Sequence, residues 1–339
     1  MNRTVTRMAA AGVGLLLGAA GIALARWKRK RLADLAAGSD LLTTDRGVVE
    51  VARRGSGYPV LVLHGDPGGY DQGLHLGSEL FGSDVELIAP SRPGYLRTPL
   101  DGNESFEDQA ALLVALLDEL DVEQALVVGL SGGGPTALQL AADYPDRVSG
   151  VVLVSAVTND LDERLFDIDN PFVDPLLTST PVLDVRSGLF VALGRFAPDT
   201  LVAMLHDEVS ALEGAALAAY VESIVTNPRY LEQSLDFVPT MLPVSARIDG
   251  TLNDERLFRA LPNVAYGTIE CPTLVLHGKF DESVPFDHAE FVVDALPNVE
   301  LVGLDADHLV WIGSGHERAR EAVQAFTELV TASGEPMTS

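Results

Sequence analysis

Short apolar runs alternate with longer amphipathic stretches along this chain, the pattern of a mostly parallel sheet whose strands are buried on both faces and covered by helices. Val48 to Ala52 predicts an early strand. Val60 to Leu63, Val85 to Ala89, Ala125 to Val128 and Val151 to Val154 follow as β-branched or aliphatic runs closed by turn residues. Helices are expected over Ser105 to Leu120, where Ser105 and Asp108 form an acidic variant of the capping box, and over Thr136 to Tyr144. The alternation stops near Ala156 and resumes at Thr273 to Leu276, followed by a strand over Val299 to Leu304 and a last helix over Glu317 to Val330. Residues 158–265 lack a clear strand and hold prolines, aspartates and helical stretches such as Thr200 to Val225, which predicts an α-helical cap inserted into one sheet. The expected division is therefore an α/β core over 32–157 and 266–332, a helical cap over 158–265, and a flexible tail over 333–339.

Ahead of this domain, residues 1–31 carry an uncharged stretch from Met8 to Ala25, 18 residues rich in alanine, glycine and leucine, the lower limit for a membrane-spanning helix. Arg26, Lys28, Arg29, Lys30 and Arg31 follow it directly. Set against Arg3, Arg7 and the terminal amine, this cluster predicts an N-terminal transmembrane helix with the catalytic domain on the cytoplasmic side. The membrane is then an expected partner. Ala23-Leu24-Ala25 offers the alternative of a signal-peptidase site and an exported form.

Charge narrows the function classes. The chain has 49 acidic and 23 basic residues, a formal net charge of −26 that repels a phosphate backbone and excludes nucleic acid as a general partner. Seven of the basic residues precede any acidic one, so residues 32–339 carry 16 basic and 49 acidic groups, or −33. With only three lysines, such a surface is similar to that of halophilic proteins. The single cysteine, Cys271, excludes an intrachain disulfide or a cysteine-built zinc site.

The chemistry lies at Gly129-Leu130-Ser131-Gly132-Gly133, which matches the nucleophile-elbow pattern and falls between a predicted strand and a predicted helix. The glycines permit a tight turn that lifts the serine hydroxyl into solvent, and the helix start directs N–H groups at developing negative charge. A serine alkoxide needs a histidine held by a carboxylate. His308 follows the last predicted strand, whereas His316 starts the last helix, where capping or exposure is expected. Asp281 lies just past the strand Thr273 to Leu276, at the same sheet edge as the elbow, with Glu282, Asp305 and Asp307 as rivals. Gly132 supplies one oxyanion donor, and the small-residue loop His64-Gly65-Asp66-Pro67-Gly68-Gly69 supplies the candidate second, the N–H of Asp66.

This ordered set over residues 40–331, a His-Gly-x-Pro loop, the elbow, an Asp loop and a final His, resembles the α/β-hydrolase fold superfamily, in its capped serine-hydrolase branch. The resemblance implies an eight-stranded, mostly parallel sheet with a helical cap after the sixth strand. It also implies Ser131 as nucleophile, Asp281 as acid, His308 as base, and Asp66 and Gly132 as oxyanion donors, with no cofactor and no metal. Serine at the elbow separates the chain from the haloalkane dehalogenase and epoxide hydrolase branches, which use aspartate. The Asp66 loop is also similar to that of proline iminopeptidases, which usually carry another glycine at that position.

In the cap, Phe166, Phe172, Phe190, Phe196, Met204, Tyr220 and Met241 are candidates for an apolar pocket, with packing among themselves as the plainer reading. Glu208, Glu213, Glu222 and Glu232 are candidates for binding an ammonium, with a solvated acidic face as the plainer reading, and Asn253-Asp254 for capping a helix. The expected function is a serine hydrolase of carboxylic esters, lipophilic ones included, acting through an acyl-enzyme. An aminopeptidase similar to proline iminopeptidase and a catalytically silent interaction protein are the alternatives. Charge generates a first prediction. Self-repulsion of −33 destabilises the compact state at low ionic strength, so the melting temperature is expected to rise steadily with salt into the molar range; a flat response in a thermal-melt series removes the halophile reading.

Overall fold

Buried β-branched runs pair edge to edge into one sheet. In the computed structural model, which describes the backbone of residues 3–161, 174–261 and 264–334 and the side chains of 18–161, 175–261 and 264–332, that sheet has eight strands. They are β1 (Asp40–Thr44), β2 (Gly47–Gly55), β3 (Tyr58–Leu63), β4 (Val85–Pro90), β5 (Ala125–Leu130), β6 (Val148–Val154), β7 (Thr273–Gly278) and β8 (Val299–Leu304). Their order is β1-β2-β4-β3-β5-β6-β7-β8. β2 runs antiparallel to β1 and β4, and every other neighbouring pair is parallel.

Successive side chains point to opposite faces, and both faces are dry. Val60, Val62, Leu126 and Val128 pack with helices α2 (Tyr70–Leu80) and α12 (His316–Gly334), while Leu61, Leu63, Ala125 and Val127 pack with α3 (Phe106–Glu119), α4 (Gly134–Asp143) and α11 (Asp287–Ala295). Ser105 caps α3 as expected, its Oγ accepting from the Asp108 N–H at 3.1 Å and donating to the Asp108 carboxylate at 2.6 Å. β1, short and half polar, is the strand that the sequence pattern does not announce.

Between β6 and β7 the described residues form α5 (Asp174–Leu177), α6 (Thr180–Phe196), α7 (Pro198–Val209), α8 (Gly214–Val225), α9 (Pro228–Phe237) and α10 (Ile248–Phe258). The single helical stretch expected over Thr200 to Val225 is divided at Ser210, which forms a β-bridge to Asp281. There the Ala211 N–H donates to the Phe280 carbonyl at 2.8 Å and the Glu282 N–H to the Val209 carbonyl at 3.1 Å. Asn253 and Asp254 do not cap a helix; they lie inside α10, buried. Phe166 and Phe172 fall outside the described residues, as does most of the expected tail, α12 continuing to Gly334.

The expected transmembrane helix is overturned: among the described residues, no helix is long and apolar enough to cross a membrane. The N-terminal helix, α1 (Arg3–Ala37), instead runs on through the basic cluster. Eleven of the 18 residues from Met8 to Ala25 are alanine or glycine, which offer little apolar surface. Two charges assigned to the membrane flank are paired with the domain: Lys28 lies 2.7 Å from Asp184, and Arg31 lies 2.7 Å from Asp71. Trp27 packs against the apolar cluster of Leu183, Leu201 and Leu242, and Leu35 is buried in the main core. The membrane as a partner and the membrane-anchored location fall with that helix. A chain beginning at Leu32 loses both pairs and the Trp27 contact, together worth about 2–4 kcal/mol. Its melting temperature is expected to drop by roughly 3–6 °C, read by calorimetry, whereas an unchanged value would mean that this packing contributes nothing.

Candidate active site

β5 ends at Leu130 and α4 begins at Gly134, which leaves three residues to reverse the chain's path. Ser131 takes the strain of that turn, at φ +48°, a left-handed conformation that costs a side-chain-bearing residue energy and recurs at functional sites. Its neighbours must be small. A Cβ at Gly133 would stand 2.6 Å from the Leu63 carbonyl oxygen, and one at Gly65 would stand 2.9 Å from the Ser131 Cβ. The loop after β3 is thus packed directly against the serine.

His308 and Asp281 meet at the same sheet edge. The His308 Nδ1 lies 2.9 Å and 3.1 Å from the two Asp281 carboxylate oxygens, and the Val284 N–H donates to one of them at 2.8 Å. Ser155, buried at the end of β6, donates its hydroxyl to the His308 carbonyl at 2.8 Å and holds the histidine loop. The rival carboxylates go elsewhere. Asp305 pairs with Lys279 on the surface at 2.7 Å, Glu282 is exposed, and Asp307 is buried 2.6 Å from the Nδ1 of His206 in α7. His316 is buried rather than exposed, its Nδ1 accepting from Arg229 at 3.1 Å and its Nε2 donating to the Glu79 carbonyl at 3.0 Å.

Asp66 carries a carboxylate where small residues were expected to leave open backbone. Tyr95 donates to it at 3.0 Å, and the Thr251 hydroxyl of α10 donates to the same oxygen. Tyr95 also reaches Asp254 at 2.7 Å; burial, then the Asp254 and Asp66 carboxylates, push its phenol well above the ordinary range, so it is a neutral donor. Arg92, almost without exposure, completes the group with two hydrogen bonds to Asp254, at 2.5 Å and 3.1 Å, and one to the His64 carbonyl at 3.0 Å. Sequence reasoning passed over Arg92, Tyr95, Ser155 and His206 and gave Asp254 a capping role, because their partners lie far along the chain.

Ser131, His308 and Asp66 line one cavity of about 240 Å³. Its walls are apolar, with Leu205, Phe237 and Trp311 among them, and of the cap candidates Phe190, Met204 and Met241 line it, against the plainer reading of packing among themselves. Phe196 is exposed instead, and Tyr220 stacks edge-on against His206. Besides Asp66, the charged residues Arg186 and Glu208 reach the cavity, whereas Glu213, Glu222 and Glu232 are exposed. Burial lowers the Arg186 guanidinium below its ordinary range, and the Glu208 charge partly restores it.

Several histidines are buried deeply enough that the loss of water outweighs any carboxylate beside them. Burial, then the Arg92 charge, hold His64 well below the usual range; its Nε2 accepts from the Arg92 N–H and its Nδ1 donates to the Gly65 carbonyl. Burial also lowers His277 and His288, against the opposing pull of Asp281 and Asp287 respectively. Each stays neutral in the folded chain and protonates in the unfolded chain below about pH 6.5, so the unfolded state binds more protons. Stability is therefore full above that value and falls as the pH drops through it, by up to about 1.4 kcal/mol per pH unit for each group. The urea midpoint is expected to be lower at pH 5.5 than at pH 7.5; equal midpoints would contradict the neutral assignment.

The sequence pattern of the alpha/beta hydrolase fold family matches residues 58–314. An alpha/beta hydrolase fold protein from Nakamurella multipartita is 31% identical and superimposes with a TM-score of 0.75, over 87% of this chain and all of that one. The 2-hydroxymuconate semialdehyde hydrolase of Pseudomonas putida is 28% identical over 82% of this chain and 87% of its own length, and the hydrolase YcgS of Bacillus subtilis is 26% identical over 85% and 98%. These last two relatives are hydrolases, and the chain belongs to the α/β-hydrolase fold family.

Proposed function

We propose that this hydrolase cleaves carboxylic esters through an acyl-enzyme on Ser131. The observation that carries the reading is the His308–Asp281 hydrogen bond, standing at the cavity that Ser131 lines. In this mechanism His308 takes the Ser131 proton on Nε2 while Asp281 fixes the tautomer at Nδ1 and stabilises the imidazolium. The Ser131 Oγ attacks the ester carbonyl, and the oxyanion is received by the N–H groups of Gly132 and Asp66. His308 returns the proton to the departing alcohol. Water, activated by the same histidine, then releases the acid. The apolar walls favour lipophilic acyl groups.

Glu208 at the cavity favours a second reading, an aminopeptidase whose acid holds a substrate ammonium. Arg186 shares that cavity and offsets the acid, which ranks the ester first.

A fluorophosphonate probe and two substrate series, acyl p-nitrophenyl esters and aminoacyl p-nitroanilides, separate these readings. Ester turnover is expected to exceed anilide turnover. Ser131→Ala and His308→Ala are each expected to lower turnover by roughly 10⁴- to 10⁶-fold, with little further loss in the double variant, and Asp281→Asn by roughly 10⁴-fold. His316→Ala is expected to leave probe labelling intact. Full activity in Ser131→Ala would end the acyl-enzyme reading, and a wild-type chain inert to probe and substrates would favour the interaction protein.

A further inference from the structure

Behind the cavity at Ser131 lies a second one, of about 290 Å³, walled on its far side by Trp27 and Arg31 of α1. Phe190, Leu201, Val238 and Leu242 line both, so the partition between them is one layer of side chains. The second cavity offers no polar recognition. Its one charged lining residue, Arg31, is engaged by the Asp71 carboxylate at 2.7 Å and the Pro239 carbonyl at 2.8 Å. Protein interiors are close-packed, and an apolar void forfeits contacts along its whole lining, so its natural occupant is hydrocarbon. Three of the four shared residues are buried, whereas Phe190 is only partly buried and has two rotatable side-chain bonds, its ring lying under the Arg186 guanidinium at 5.6 Å.

We infer that the second cavity is a subsite for the distal methylenes of a long acyl chain, entered past Phe190, with Trp27 of the N-terminal helix as its end wall. The inference rests on the ester-hydrolase reading, because the chain's carboxyl end must lie at Ser131. Each methylene that enters is expected to raise kcat/KM by about three- to fourfold, until the chain meets α1.

The two tryptophans of the protein stand one in each cavity, Trp311 in the first and Trp27 in the second, and report where a chain ends. The test labels the full chain with p-nitrophenyl alkylphosphonates bearing a terminal bromine, one bromobutyl and one bromododecyl. The Ser131 Oγ forms a bond to phosphorus, nitrophenolate leaves, and the serine proton passes to His308, so labelling is read by nitrophenolate release wherever the tail lies. The bromododecyl label is expected to quench a component of emission that is present in the wild type and missing in Trp27→Phe, and the bromobutyl label to spare it. Labelling by both with Trp27 emission unaffected would overturn the subsite and leave the ester hydrolase standing. No nitrophenolate release from either would overturn the site reading and the subsite together. Val191→Trp, at a residue lining the second cavity alone, gives an independent measurement: turnover of dodecanoyl esters is expected to fall at least tenfold while butyryl esters are unchanged. Equal effects on both chain lengths would also overturn the subsite.

Discussion

The Arg92 guanidinium is withdrawn from water almost completely, and a charge in that position must be answered inside the protein. Asp254 answers it with two hydrogen bonds, the His64 carbonyl takes a third, and the Tyr95 ring lies 4.9 Å from the guanidinium carbon. Removing one partner of such a pair leaves an uncompensated buried charge, a cost of about 3–5 kcal/mol. The pair joins the loops after β3 and β4 to α10, across 162 positions of sequence. It also bounds the elbow: a Cβ at residue 132 would meet the Phe258 ring at 2.9 Å, with the Arg92 and Asp254 head groups at 3.4 Å. Tyr95 extends the assembly to Asp66, so the carboxylate that looked misplaced beside an oxyanion site is held by the Tyr95 and Thr251 hydroxyls.

What was legible in the chain follows from how local the governing physics is. The central strands are buried on both faces, so they read as near-continuous apolar runs; β8 matches its expected bounds, and the other expected strands are each extended by one to three residues at one or both ends. The Ser131 turn was legible because its glycines are contiguous with the serine. Ser105 announced α3 for the same reason, since a cap and its helix are three residues apart. The Arg92–Asp254 and His206–Asp307 pairs were not legible, since each residue alone reads as a surface charge or a polar helical position. Asp254 was taken for a cap because acids near helix starts usually serve there; burial inside α10 gave it another task.

The N-terminal segment shows how one feature supports two physical readings. An apolar stretch followed by five positive charges satisfies the charge rule for membrane orientation, yet the domain beyond carries −33 and offers those charges partners of its own. Asp184 on α6 and Asp71 on α2 take Lys28 and Arg31, and these two contacts fix the helix across both the sheet's covering layer and the helices between β6 and β7. Composition alone does not say whether a basic cluster faces lipid head groups or a neighbouring acidic surface. The distinction is made by Trp27, half-buried, and Leu35, buried, which place the C-terminal part of the helix on the protein.

The helix α7 ties the shape of the cavity to the geometry of the proposed acid–base pair. Leu201, Met204, Leu205, Glu208 and Val209 follow a helical stripe and face the cavity at Ser131. The other side and the end of the helix reach the proposed pair: His206 bonds Asp307, the residue before His308, and Ser210, extended just past Val209, forms a backbone bridge to Asp281 itself. A displacement of α7 therefore moves the cavity wall and both halves of the His308–Asp281 contact together. Core side chains transmit such shifts because interiors are packed to crystal-like density. Substitutions on the cavity stripe then act on turnover as well as affinity, since a wall that reseats α7 also reorients the imidazole on which the proposed chemistry depends.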